Sequence, residues 1–168
     1  MPVFPQPQGH HLAQVNIALA MDDMDSPLLK DFVGALDGVN RLADRAPGFV
    51  WRLQTEDGDA TGIDVGDDPR LLVNLSVWET PAALSHFVWQ TVHKRVFAKR
   101  AKWFVAPKQV NVAMWWVPAG HLPTVAEAME RLQTLRRDGP SETAFGWESL
   151  PETLRPPAPE APAAAGNG

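Results

Sequence analysis

The residues best suited to chemistry gather on one segment, residues 77–104, VWETPAALSHFVWQTVHKRVFAKRAKWF. At about 3.6 residues per turn, His86, Trp89, His93, Phe97, Arg100 and Phe104 fall on one side of a helix. Arg95, Lys99 and Lys102 fall roughly opposite, on the side that meets water. Two imidazoles and a guanidinium thus lie in an aromatic stripe, and such a stripe packs on a core or lines a cavity. His93 can serve as a general base near neutral pH or as a metal ligand through its neutral ring. His86 lies about 10.5 Å earlier along the axis, too far for both rings to share one metal. Outside this segment, Asn16 offers an amide that both donates and accepts. Trp51, Trp78, Trp89 and Trp115 offer flat apolar walls for an aromatic ligand. Arg100 offers a charge for a carboxylate or phenolate. Each of these has a plain alternative: a packed histidine, a strand amide facing water, a core indole, a surface ion pair.

The elements that must position these residues follow from periodicity. Residues 11–20 (HLAQVNIALA) read as a strand with Val15, Ile17 and Leu19 on one face and Gln14 and Asn16 on the other. Ser26 and Pro27 open a helix over about residues 28–45, with Leu29, Phe32, Val33, Leu36, Val39 and Ala43 as its apolar stripe. Strands are expected over residues 49–56, 70–79 and 108–117. In the third, Asn74, Ser76 and Trp78 share a face; in the fourth, Trp115 opposes Met114 and Trp116. Thr80 and Pro81 start the central helix, and Thr124 caps a further helix over residues 125–137, with Glu127 completing a capping box. Residues 143–148 suit a short last strand. The order is β-α-β-β-α-β with an extra helix, the ferredoxin-like α+β pattern: an antiparallel sheet with helices on one face. Its second face is apolar in places, and a second copy packed sheet to sheet, making a dimeric α+β barrel, would cover it. The domain is expected over residues 11–150, between a mobile arm (1–10) and a Pro/Ala-rich disordered tail (151–168).

Composition narrows the function classes. The 168 residues suit one domain, with 45% hydrophobic and 21% charged residues and a net charge of -5. That balance, with no recognisable motif, argues against nucleic acid as a partner. There is no cysteine, hence no disulfide, thiolate metal site or thiol nucleophile. No signal peptide and no apolar run of about 20 residues point to a cytoplasmic protein away from membranes. The acidic stretch 57–69 lacks the ligand spacing of an EF-hand and reads as a loop. Phosphate loops, dinucleotide glycine patterns, HExxH and Ser-His-Asp signatures are missing.

A strand ending in tryptophan (NLSVWET) followed by a helix carrying TVHKRVF resembles the antibiotic biosynthesis monooxygenase superfamily of dimeric α+β barrels. The likeness spans about residues 12–117 and is nearest to a poorly characterised branch with a C-terminal extension. It implies a homodimer with a pocket between helices and sheet, acting on aromatic small molecules. Some members are cofactor-independent monooxygenases; others degrade haem with a strand-one asparagine, a strand-three tryptophan and a helix histidine. The matching residues here are Asn16, Trp78 and His93. Three functions follow as expectations. One is a small-molecule oxidising enzyme with no cofactor, in which His93, Asn16 and Trp78 act and Trp51, His86, Trp89, Phe97, Arg100 and Trp115 bind substrate. The second is a haem protein with His93 as proximal ligand. The third is a non-catalytic ligand-binding or interaction module.

Overall fold

A computed structural model describes residues 3–23, 25–54, 70–90, 95 and 98–155. His93 and Phe97 lie outside the described residues, as do the acidic stretch 57–69 and the tail beyond residue 155. The order is β1 (His10–Leu19), a 3-10 turn (Pro27–Leu29), α1 (Lys30–Asp44), β2 (Phe49–Arg52), β3 (Leu71–Trp78), α2 (Pro81–Gln90), α3 (Arg100–Trp103), β4 (Val112–Pro118) and α4 (Val125–Asp138). Two 3-10 turns, Trp147–Ser149 and Glu152–Leu154, follow. The sheet runs β2-β3-β1-β4 with every neighbour antiparallel. This is the ferredoxin-like arrangement expected from the element order.

Strand alternation gives the sheet two unlike faces. Pairing sets Ala13 opposite Val77 and Trp115, and Val15 opposite Leu75 and Ala113. These residues are buried and apolar, and Ala128, Leu132 and Leu135 of α4 pack on them. The other face carries Leu12, Gln14 and Asn16 beside Trp78, Ser76 and Asn74. Ala43 of α1, Leu84 and Phe87 of α2, and Phe145 and Leu150 of the C-terminal segment cover its Trp78 end. The extra helix covers part of the face for which a second copy was expected. It sits over the β1–β4 half; Val50, Trp51 and Leu53 of the β2 side remain half-buried.

Local chemistry explains the junctions. Thr80 Oγ1 accepts from the backbone N–H of Ala83 at 3.1 Å, and Pro81 opens α2, as its sequence requires. Thr124 Oγ1 accepts from the N–H of Glu127 at 3.1 Å. Ser26 precedes Pro27 but makes no side-chain cap. Gly48 turns the chain from α1 into β2 with φ of +82°, and a Cβ there would sit 2.5 Å from that of Ala83. Only glycine meets both demands. Val33, expected in the stripe of α1, is 40% exposed, whereas Leu29, Phe32 and Ala43 are buried.

The expected stripe through Phe104 falls only partly within the described residues. α2 is described over Pro81–Gln90, and α3 stops before Phe104, whose backbone is extended. Trp103 is the buried residue of α3, with its ring 5.4 Å from that of Phe32. Both ends of the described chain dock on the α1/α2 side of the sheet. Gln6 Nε2 donates to the carbonyls of His10 and Glu79, at 2.8 and 2.7 Å. Ser85 Oγ donates to the Leu154 carbonyl at 2.9 Å. The expected last strand is reduced to a bridge between Phe145 and Met114. Among the described residues no helix is long and apolar enough to cross a membrane.

The cover supplied by α4 has a direct consequence. Leu132 has no exposed surface and sits between α4 and the sheet. Leu132→Ala should cost about 2–5 kcal/mol, read as a lowered urea midpoint with an unchanged slope.

Candidate functional site

Asn16 and Trp78 lie on one face of the sheet but not side by side. Trp78 pairs with Leu12, four residues before Asn16, which pairs with Asn74. At about 3.3 Å per residue the two stand roughly 13 Å apart along the strands. A polar ladder spans that gap. Asn16 Nδ2 donates to Gln14 Oε1 at 3.3 Å. Gln14 Nε2 donates to Ser76 Oγ at 2.7 Å, with Asn74 Oδ1 at 3.4 Å. Trp78 Nε1 donates to the same Ser76 Oγ at 2.9 Å. Gln14 and Ser76 are 6% and 5% exposed, so the ladder lies inside the protein.

The two ends of the ladder differ. At the Trp78 end the indole is closed in, stacked on Phe87 at 5.3 Å and met edge-on by Phe49 at 5.4 Å. At the Asn16 end, Asn16 is half-buried and Asn74 is exposed. A cavity of about 30 Å³ opens beside them, lined by Leu36 and Asn40 of α1, Leu72 and Asn74 of β3, and Arg52 and Leu53. That volume holds a water or two. Arg52 Nε is fixed there by Asp44 Oδ1 at 2.8 Å. Amides and a guanidinium thus converge on this mouth, able to hold a carbonyl, hydroxyl or oxyanion.

Several expected pocket residues do not join this site. Trp51 pairs with Val77 and Trp115 with Ala13, so both belong to the α4 face. Trp115 is fully buried there. His86 is exposed, on the side of α2 that carries Ala82 and Gln90. The buried side holds Leu84, Ser85, Phe87 and Trp89, because the sheet lies under Leu84 and Phe87. Trp89 packs against Trp147 at 5.4 Å and thus belongs to the contact between α2 and the C-terminal segment. Arg100 is exposed on α3. His93 and Phe97 are outside the described residues. Gln14, Ser76, Asn74, Asn40 and Arg52 were not singled out from the sequence. Polar residues two apart on each of two strands, Gln14/Asn16 and Asn74/Ser76, were the signal for the ladder.

A second polar group sits on the opposite face. Glu127 Oε2 accepts from Trp115 Nε1 at 2.9 Å, and Glu127 Oε1 meets His121 Nε2 at 2.8 Å. Glu127 thus turns its carboxylate to these two donors. Burial alone would raise its pKa; the hydrogen bonds from His121 and Trp115, helped by the charges of His121 and Arg131, outweigh it and hold the carboxyl below the ordinary glutamate value. Among the described residues no group of three or more His, Asp or Glu is placed to hold a metal ion.

Both polar groups make checkable demands. Ser76→Ala leaves the Gln14 amide and the Trp78 indole without their acceptor, at about 1–3 kcal/mol for each orphaned donor. Gln14→Met with Ser76→Ala should cost less than the two single changes summed, read from urea unfolding of all three variants. Glu127 has a folded-state pKa below its unfolded one. Its ionised form therefore adds stability above the unfolded pKa, and that stability is lost as pH falls through the folded value. The stability gap between wild type and Glu127→Gln should be full near neutrality and shrink in acid, measured by thermal melts across that range.

Comparison with other proteins identifies the family. A Nitrosomonas europaea protein of unknown function superposes with a TM-score of 0.46 and 15% identity, over 70% of this chain and 99% of its own. A second protein from that organism, provisionally named an antibiotic biosynthesis monooxygenase, gives 0.43 and 21%, over 70% of this chain and 96% of its own. No curated protein matches the chain. A family model described as a domain of unknown function, DUF3291, matches residues 11–159. The helix α4 and the docked C-terminal segment fall within that match, so they are part of the family's domain, and the chain belongs to the DUF3291 family.

Proposed function

We propose that the protein is a small-molecule enzyme of the cofactor-independent monooxygenase type, working on the helix-facing side of its sheet. The observation that carries this reading is the contrast between the two faces. A sheet face that only packs helices is best made apolar, as the α4 face is with Ala13, Val15, Val73, Leu75 and Ala113. Under α1 and α2 two of the same strands, β1 and β3, instead carry Gln14, Asn16, Asn74 and Ser76. Burying such amides gains nothing over apolar side chains unless they are paired, and here they are paired with one another. The pairing sets Asn16 beside Asn74, whose amide lines the small cavity, ready to take a substrate oxygen there with the rings lying outside it.

In this reading an electron-rich hydroxylated aromatic seats its oxygen at Asn16 and Asn74. His93 removes a proton, the resulting anion bonds molecular oxygen at carbon as a peroxide, and loss of water leaves one oxygen atom on the ring, the substrate supplying the electrons. Arg52 adds positive charge near the developing oxyanion. Trp78 acts from below: its indole occupies Ser76 and so orients the Gln14 amide that holds Asn16. It positions the ladder and touches no substrate. The enclosed Trp78 ring, packed by Phe49 and Phe87, has no free face to offer a haem.

The test is oxygen consumption with a panel of polycyclic hydroquinones. Wild type should consume oxygen with at least one, His93→Ala should slow turnover by about 10²–10⁴-fold, and Asn16→Leu should chiefly raise KM. Turnover by His93→Ala at the wild-type rate removes the base assignment. No consumption with any member of the panel removes the oxidising reading.

A further inference from the structure

We infer that the cleft at the start of α4 is a second small-molecule site, in which His121 takes a proton from a weakly acidic phenol or enol. The cleft has a volume of about 600 Å³ and lies at the β4 edge of the sheet, beside the start of α4. Trp116, Val117, Pro118 and Ala126 give it an apolar wall, and His121, Glu127, Glu130 and Arg131 give it charge. Its lining combines an apolar wall with convergent polar groups, as small-molecule sites do.

The polar groups are arranged in a chain. An ionised carboxylate only accepts, so Glu127 Oε1 at 2.8 Å fixes a proton on His121 Nε2. That leaves Nδ1 as the basic atom, and among the described residues it has no hydrogen-bond partner. The carboxylate is itself held from below by Trp115 Nε1 at 2.9 Å, and Trp115 is fully buried in the sheet. A rigid core group thus orients an acid, which orients a base on the cleft wall; this is the arrangement of an oriented general base. His121 is 45% exposed as a side chain, accessible to a ligand and not sealed in packing.

The chemistry is proton transfer rather than acyl transfer. No serine or cysteine lines the cleft, and the Thr124 hydroxyl is engaged as the cap of α4. In the step, the ligand O–H bond breaks, its proton moves to Nδ1 and its electron pair stays on oxygen. The imidazolium that forms faces the Glu127 carboxylate, and the phenolate or enolate has the Arg131 guanidinium on the cleft wall. Arg131 is itself held by the Thr143 carbonyl at 2.8 Å through one nitrogen. Glu130 is the opposing charge on the wall and disfavours ligands that already carry a carboxylate.

The probe is 4-nitrophenol, whose anion absorbs where the neutral form does not. At fixed pH near neutrality, adding the full-length protein should raise the phenolate fraction and shift the His121 ring resonances. His121→Gln keeps the contact with Glu127 but has no basic nitrogen. It should remove the rise and weaken binding at least about tenfold, the scale of one lost hydrogen bond to a charged group. Because His121 is largely exposed, this variant tests the site without disturbing the core; His86→Gln is the matched control and should behave as wild type. His93→Ala should also leave the signal intact, which separates this site from the helix-facing one. The inference is overturned if millimolar 4-nitrophenol leaves the His121 ring resonances unmoved. It is equally overturned if His121→Gln raises the phenolate fraction as wild type does.

Discussion

The central strand β1 sends alternate side chains to opposite faces of the sheet, and the rest of the molecule is arranged around the difference this creates. Ala13 and Val15 go to a dry face that α4 covers. Leu12, Gln14 and Asn16 go to a face that is apolar at one end and polar at the other. A single-residue slip in pairing would exchange the two sets and bury the amides against Leu132. Packing on α4 therefore fixes the register, and the register is what stacks Gln14 on Ser76 and Asn16 on Asn74.

From that register follows the special position of Ser76. One hydroxyl accepts from the Gln14 amide and from the Trp78 indole. It joins the closed end of the face, where Phe49 and Phe87 enclose the indole, to the open end, where Asn74, the pairing neighbour of Asn16, lines the cavity beside Arg52. The other face repeats the device once. A tryptophan rooted in the sheet, Trp115, donates to Glu127, which orients His121 at the surface. In both places an indole anchored in the core fixes a polar group that then directs a more exposed one.

Much of this was legible in the sequence. The alternation of β1 and β3 placed Asn16 and Trp78 on one face, and the element order gave the sheet. The offset between them was not legible, because register is set by pairing across the sheet and not by either strand alone. The stripe drawn through His86 failed because it followed residue type. Which side of α2 is buried depends on where Leu84 and Phe87 meet the sheet, and that side excludes His86. Trp51 and Trp115 read as pocket walls by type, while their strand phase sends them to the α4 face. The Thr124 cap formed as its local pattern requires, yet Glu127 turned away to Trp115 and His121. Tertiary donors outweighed the local partner. That α4 would cover the second face could not be read from its amphipathic pattern, which demands an apolar surface without saying which.

The central claim is that the Asn16 end of the ladder holds a substrate oxygen. The most direct measurement is the side-chain amide NMR spectrum of Gln14, Asn16 and Asn74 during titration with a polycyclic hydroquinone that the protein oxidises. The account predicts that the Asn16 and Asn74 amides shift on saturation, that Gln14 follows through its bonds to both, and that the Trp78 indole N–H moves least. Saturable binding that leaves these amides unmoved would contradict it.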